Sequence, residues 1–467
     1  MSRPPRVDAL VVGAGPAGMA AALRLRHAGL SVRVVDDAPA PGGQIWRAAE
    51  ANAARAGTLG ADYARGIGVA ERFRACGADY RPGIELWRLD PGWQAHVKQD
   101  GALGRIDAGA VVLATGALER PVPFPGWTLP GVVTVGGAQT LLKAAGQVPT
   151  GPVWIAGSGP LVLLYAAQIL ALGGAIAGWL DTAPAGNRAA AALAGLRRPR
   201  ALSRHAGDLM KGLGWRLKLA LARVPVISVR AVAAEGEGRI AAVRFVTQAG
   251  REERRPAQLL LVHEGVVPNI HATLALDCVH DWCPDQECFA PRLDAFRMTS
   301  RDGLFVAGDG GGILGARGAA WSGTLAALGV LARGGHLSPA AAAQEAGPLR
   351  RRLASEAGFR AFLDALYRPR RDVLAPSGET LVCRCEEVSA DAVRRAAALP
   401  GAGPNQIKAF TRTGMGPCQG RQCAATLARL VAEVQGRSME SVGCLTIRPP
   451  LKPVTVGELA QAAEQHI

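Results

Sequence analysis

The chain has 467 residues and a 49% hydrophobic content, enough for roughly two to four domains with large cores. Lys and Arg outnumber Asp and Glu by 53 to 38, a formal charge of +15, yet aromatics are only 5% and no nucleic-acid motif accompanies the charge. Base-stacking platforms and a nucleic-acid partner are therefore not expected. The cations are densest between Arg188 and Arg230, where Asp208 is the only acid, and this stretch reads as a solvated or partner-docking face. Nine cysteines in a chain expected to be cytoplasmic point to metal or redox use rather than structural disulfides. Asp8 interrupts the first apolar run, so no cleaved signal is expected.

Residues 8–36 read as an apolar strand (9–12), the loop Gly13-Ala14-Gly15-Pro16-Ala17-Gly18, a helix ending near Gly29, and a second strand (32–35) closed by Asp36. The first glycine permits the tight turn, the second a close approach to a pyrophosphate, and the third the contact of helix on strand. The helix N-terminus supplies free N–H groups and positive potential. Asp36 stands 23 positions after Gly13, where a carboxylate accepts ribose hydroxyls, and its neighbour Asp37 is the other candidate. The stretch Pro41-Gly42-Gly43-Gln44-Ile45-Trp46 resembles the loop that flavin proteins of the glutathione-reductase class place beside the isoalloxazine. Val111 to Ala117, containing Ala114-Thr115-Gly116, resembles a strand end of that class. Gly303 to Gly310, containing Gly308-Asp309, resembles its late Gly-Asp motif. The resemblance implies bound FAD and an α/β fold with two Rossmann-like domains.

The run from Gly151 to Leu180 is uncharged and long enough to cross a bilayer, but its glycines divide it into strand, loop, helix, turn and strand, so a buried βαβ half is expected. Its loop, Gly157-Ser158-Gly159-Pro160-Leu161-Val162, lies where the class binds NAD(P)H. Val162 replaces the third glycine and Leu164 the acid often found two positions later; only Asp181 is left as a ribose acceptor. A nucleotide fold is expected there, with NAD(P) binding in doubt. No cysteine pair stands near the flavin segments, which removes the disulfide-reductase reading, and Cys76 is alone. His263, on a strand read as returning toward the flavin, is a flavin-tuning or a core histidine.

A basic, helix-prone connector precedes Cys383-Arg384-Cys385; after a gap of 32 residues come Cys418 and Cys423. Four soft thiolates in two close pairs suit zinc or an iron–sulfur cluster. A single residue between cysteines is unusual for structural zinc, while four-cysteine ligation is common for [2Fe–2S]. Ser389 reads as the N-cap of a helix over 390–399, and the glycines at 414 and 416 free the backbone to offer N–H groups. Arg384, Arg412 and Arg421 would offset cluster charge. Cys278, Cys283 and Cys288 match no defensible ligand pattern and read as scattered or buried thiols. Cys444 precedes an extended strap.

The spacing of the four cysteines is similar to the small ferredoxin domain first known from bacterioferritin-associated ferredoxin, which implies a helical C-terminal [2Fe–2S] domain. Both halves in this order, with the segment 119–127 and the Gly-Val-Val-Pro-Asn run at 265–269, resemble the larger flavin subunit of bacterial heteromeric amine dehydrogenases. That group includes the octopine and nopaline dehydrogenases, D-hydroxyproline dehydrogenase, dye-linked L-proline dehydrogenase and hydrogen cyanide synthase. The resemblance implies cofactor contacts at Gly13, Gly15, Pro16, Ala17, Gly18, Asp36 or Asp37, Gly43, Gln44, Ala114, Thr115, Gly116, Gly308 and Asp309. It implies cluster ligation by Cys383, Cys385, Cys418 and Cys423, and assigns no catalytic residue to this chain. In the family a partner flavoprotein related to D-amino acid oxidase oxidises the carbon–nitrogen bond. Electrons then pass through the cluster toward FAD and on to a quinone or other acceptor, and some members add a small ferredoxin chain. Membrane association through that acceptor is left open. An NADH-dependent flavin reductase working outward through its ferredoxin domain is the alternative function.

The expected layout is an FAD domain at 1–125 and 248–335, and a degenerate NAD(P)-like domain at 126–247. A basic helical connector (336–376), a [2Fe–2S] domain (377–445) and a strap (446–467) follow.

Overall fold

The structure, a computed structural model, describes residues 6–464; the outer ends of the expected first domain and strap lie outside the described residues. Its first sheet is built on Val7–Val12, whose residues Ala9 to Val12 are all buried, as a strand covered on both faces requires. Val32–Asp36 and Asp79–Pro82 extend it in parallel on one side. On the other side lies the 12-residue strand Ala102–Leu113. That strand serves two sheets: its first half pairs antiparallel with Gln94–Gln99, and its second half pairs parallel with Val7–Val12 and Leu304–Val306.

The helices Pro16–His27 and Gly315–Arg333 pack against each other on this sheet. Their approach leaves no room for a side chain at Gly323, where a Cβ would collide with the Ala17 carbonyl. Close backbone contact of this kind is what small residues permit.

The second sheet runs in the order Glu252–Pro256, Ala242–Thr247, Val226–Glu235, Ile176–Asp181, Val153–Gly157, Leu260–His263, Val132–Thr134. The uncharged run resolves into strand, helix Pro160–Ala171 and strand, as expected. No helix among the described residues is long and apolar enough to cross a membrane. The expected boundary at 247 is displaced. Glu252–Pro256 completes a hairpin with Ala242–Thr247, and Leu260–His263 pairs in parallel with Val153–Gly157. The second fold therefore extends past His263. It joins the first through a two-stranded ribbon, Ala117–Glu119 against Val266–Pro268.

The connector is the 28-residue helix Pro339–Leu366, whose N-cap Ser338 accepts from the Ala341 N–H, followed by the short helix Arg371–Leu374. The cysteine-bearing region has a two-stranded ribbon, Leu381–Cys383 with Val388–Ser389, and the helices Ala390–Ala397, Pro404–Thr411 and Ala424–Gln435. Ser389 caps the first of these by accepting from the Ala392 N–H. Val382, Val393, Ile407, Leu427 and Val431 belong to one buried cluster with Leu10, Val35, Ile84 and Leu113, so this region shares a core with the first sheet. The strap crosses that sheet, with the Leu451 N–H bonded to the Trp87 carbonyl at 2.6 Å, but it ends in the helix Val456–Glu464 rather than staying extended.

Replacing Gly323 by Val should lower the unfolding free energy by about 1–3 kcal/mol, the usual cost of overpacking. Denaturant titration measures this; an unchanged midpoint would contradict the helix–helix contact.

Candidate functional site: two glycine loops and four cysteines

The first glycine loop is the meeting point of five segments. Gly13 lies under the Ala114 carbonyl, Gly15 under Gly43, and Ala17 beside Gly308, while Gly310 stands against the Gly116 carbonyl. A Cβ on Gly43 would come within 2.9 Å of the Gly15 Cα, so the two loops approach this closely only because glycine stands at both positions. Asp36 is buried and turns inward; its carboxylate accepts the N–H of Ala14 and, at 2.7 Å, that of Ala38. Burial raises its pKa against the pull of those two N–H groups. Asp37 faces out and pairs with Lys452 at 3.1 Å, so of the two sequence candidates only Asp36 lies in the loop.

Thr115 Oγ1 bonds the Asn269 carbonyl at 3.4 Å, and the Asn269 N–H returns to the Gly116 carbonyl at 3.0 Å. The Gly308 N–H donates to Ser322 Oγ at 3.0 Å. The Asp309 carboxylate accepts the N–H groups of Leu314 and Gly315 at 2.7 and 3.0 Å, which anchors the start of the helix Gly315–Arg333. Burial raises its pKa too. Gln44 Oε1 accepts from Arg47 at 3.3 Å and Thr140 at 3.4 Å. Its carbonyl and that of Ile45 accept from Lys143 Nζ at 3.0 and 3.1 Å.

Lys143 is the residue that sequence reasoning missed here. It comes from the helix Val135–Ala145 of the second fold, is 3% exposed, and has its pKa pulled to about 8, first by burial and then by Arg47. The only signal for it is position: Lys143 follows Gln139 by one helical turn on the face that also buries Ala138 and Leu142.

The second glycine loop is shaped differently. Val162 is fully buried at the third-glycine position. His263 ends a strand of the second sheet, buried beside the second glycine loop: its ring lies against Gly159, its Nδ1 bonds Glu119 at 2.6 Å, and Glu119 also accepts the Gly136 N–H. Asp181 Oδ1 accepts the Ala183 N–H at 3.2 Å.

Across the carboxyl edge of this sheet, where ligands of such folds bind, lies the chain itself. Asn187 Nδ2 holds the carbonyls of Leu366 and Arg368 at 3.3 and 3.0 Å. Arg370, 5% exposed, reaches Glu264 at 3.1 Å, the Arg230 carbonyl at 3.4 Å and Asp372 at 3.1 Å. Glu264 follows directly on the strand Leu260–His263, and Arg230 lies in Val226–Glu235, so one side chain spans the edge.

The four cysteines converge two and two. Cys423 donates to the Cys383 sulfur, which also receives the N–H groups of Gly414, Glu386 and Cys385; these bonds, that of Cys423 foremost, pull the Cys383 thiol down to about 6. The same contact, with burial, pushes Cys423 well up. Cys385 donates to Cys418 and accepts its backbone N–H. Cys383 and Cys423 are buried, Cys418 is half-buried and Cys385 is exposed, so the group has one open edge. Among the described residues no three His, Cys, Asp or Glu side chains close on a single point as one ion requires. Of the three expected arginines, Arg421 bonds the Cys418 carbonyl at 3.3 Å, and Arg412 is turned to Glu386 at 2.7 Å. Cys283 and Cys288 face each other across a hairpin, and Cys278 is buried apart from the four.

His271, also missed, joins the two sites. It is 7% exposed, its Nε2 bonds the Gln419 carbonyl at 3.2 Å, and its Nδ1 has no partner. Gln419 follows Cys418, and Asn269, two residues before His271, is bonded to Gly116. Burial, with Arg421 nearby, pulls the His271 pKa to about 4, so the ring is neutral.

The pyridine nucleotide-disulphide oxidoreductase family matches residues 7–323, and the sarcosine oxidase A3 domain matches residues 377–463. An opine oxidase subunit of Rhizobium meliloti is 44% identical over 464 residues, covering 97% of this chain and 87% of that protein. Hydrogen cyanide synthase subunit HcnB of Pseudomonas aeruginosa is 32% identical over 457 residues, covering 95% and 96%. The crystal structure of L-proline dehydrogenase from P. horikoshii superposes with a TM-score of 0.68 at 19% identity over 97% of this chain and 79% of that one, a likeness of fold. With a shared glycine-loop architecture and this depth of similarity, the chain belongs to the pyridine nucleotide-disulphide oxidoreductase family, beside the opine oxidase protein of Rhizobium meliloti, and is a flavin oxidoreductase.

Proposed function

We propose that this chain is the FAD- and [2Fe–2S]-containing electron-transfer subunit of a heteromeric amine or amino-acid dehydrogenase. The carbon–nitrogen bond of an opine, hydroxyproline, proline or similar substrate is oxidised on a partner flavoprotein subunit, and electrons leave to a quinone or other carrier. The observation that carries this reading is the short link of Gly116, Asn269, His271 and Gln419 between the glycine cradle and the cysteine pairs. The relatives' designations as subunits, one of opine oxidase and one of hydrogen cyanide synthase, support a heteromeric assembly.

The residues fit the cofactors. The bare backbone of Gly15 and Gly43, free of side chains, suits the approach of a pyrophosphate beside the N-terminus of Pro16–His27, and Asp36 is the carboxylate for a ribose. Asp309 would stand at the end of the same group. Cys383, Cys385, Cys418 and Cys423 come together as four thiols, and the single residue between the first two suits a two-iron centre better than one zinc ion. When bound, FAD supplies two-electron exchange and a [2Fe–2S] cluster one-electron exchange.

Around them the chain's own groups have defined tasks. The N–H groups of Gly414, Glu386 and Cys385 stabilise charge on the Cys383 sulfur. The Lys143 ammonium holds positive potential against the Gln44–Ile45 carbonyls without a carboxylate bonded to it. The neutral, buried ring of His271 carries the link to the Gln419 carbonyl. The connector over the second fold, with Val162 in its loop, argues against the NADH-dependent reductase.

Two outcomes are expected. Cys385→Ser should lose the iron–sulfur absorption and all substrate-to-dye transfer while keeping most of its FAD; undiminished turnover in that variant would defeat the assignment. Anaerobic mixing of the purified protein with NADH should leave the flavin spectrum unchanged on the time scale of turnover, whereas rapid bleaching would favour the reductase.

A further inference from the structure

The helix Ala206–Leu221 presents its apolar side outward. Met210, Leu213, Leu217 and Leu221 recur at steps of three and four residues and are 64, 60, 59 and 75% exposed. Leu219 is its only buried residue, and at about 100° per residue it lies on the far side of the helix from this stripe. The helix thus rests on the protein through Leu219 and turns four large aliphatic side chains away from it. Single exposed leucines are ordinary, but a periodic stripe of them marks a binding surface.

The surroundings of the stripe are of one sign. Between Asn187 and Arg223 there are nine Lys and Arg against one acid, Asp208, which is engaged from the protein side by Arg317 at 2.6 Å. Lys218, Arg223, Arg200 and Arg204 are exposed. Lys218 stands on the shoulder of the stripe, and Arg223 just beyond its end.

We infer that this face seats on an anionic lipid bilayer, with the helix lying in the headgroup plane. A basic polar side, an aliphatic side and one free face are the ingredients of an interfacial helix, and Lys and Arg at its flanks add attraction to anionic headgroups. The stripe carries no Trp or Tyr, which dominate the hot spots of protein interfaces, and is built mainly of Leu, which is under-represented there, so an acidic protein partner fits it less well. The inference stands apart from the electron route, since none of these residues touches the glycine cradle or the cysteines.

Flotation of the full-length protein with vesicles tests it. The protein should rise with vesicles containing phosphatidylglycerol, stay behind with phosphatidylcholine alone, and be released by added salt. L213E/L217E should lower the bound fraction about tenfold or more, and K218E/R223E should weaken it as well. Flavin content and the unfolding midpoint should stay at wild-type values, because the replaced side chains are exposed. Absence of flotation on phosphatidylglycerol, or equal flotation of L213E/L217E, overturns the proposal. A change in the size of the co-expressed complex in L213E/L217E, without vesicle binding by the wild type, would make the face a protein interface and equally overturn it.

Discussion

The hydrophobic core shared by the first sheet and the cysteine-bearing region is the constraint on which the rest depends. Leu10, Val12 and Leu113 come from the sheet that carries the first glycine loop, and Val382, Cys383, Leu427 and Val431 from the region that carries the thiols. Fully burying each such side chain is worth about 1.5–3 kcal/mol relative to exposure. The two candidate redox sites therefore sit on one packed body and not on domains tied by a flexible linker. Trp127 adds a directional contact: its Nε1 donates to the Leu381 carbonyl at 2.8 Å, within the ribbon that delivers Cys383. The fixed geometry of the link through Asn269 and His271 follows from this packing.

The second nucleotide fold keeps its architecture, and the chain itself lies across its ligand edge. Its strands, crossover helix and sheet order are intact, yet the ligand edge is crossed by the segment after the connector helix. Arg370 and Glu264 form a pair with 5% and 1% side-chain exposure. Such a pair gains little net stability once desolvation is counted, but removal of one partner leaves a buried charge and is strongly destabilising.

The sequence makes legible what is local. The order strand, glycine loop, helix, strand and acid is read within 29 residues, and so is the cap at Ser389. What it leaves undecided depends on partners distant in sequence. Asp36 and Asp37 differ by one residue, and only the pairing of Val32–Asp36 in its sheet turns the first inward and the second to Lys452. The domain boundary at 247 fails because the strand Leu260–His263 finds its neighbours at 132–134 and 153–157, more than a hundred residues earlier. The helix Val456–Glu464 does carry a local sign, the capping box of Thr455 with Glu458, in which each backbone N–H meets the other's side chain at 2.7 and 3.2 Å.

Lys143 and His271 belong to neither kind of signal, and Lys143 shows how the second fold bears on the first cradle. The helix Val135–Ala145 delivers Lys143 to the carbonyls of Gln44 and Ile45, and its neighbour Gln139 bonds both Lys143 and Gln168. Gln168, on the crossover helix of the second fold, donates to the Leu59 carbonyl of the first at 2.7 Å, and Asn52 of the first donates to the Lys143 carbonyl at 2.6 Å. Buried polar groups that satisfy one another across a boundary resist its sliding, because any displacement strands a donor or acceptor away from water. The second fold thus braces the loop beside the first cradle and supplies a buried cation to it. Disturbing those contacts would loosen the loop beside the first cradle, whatever the ligand edge of the second fold binds.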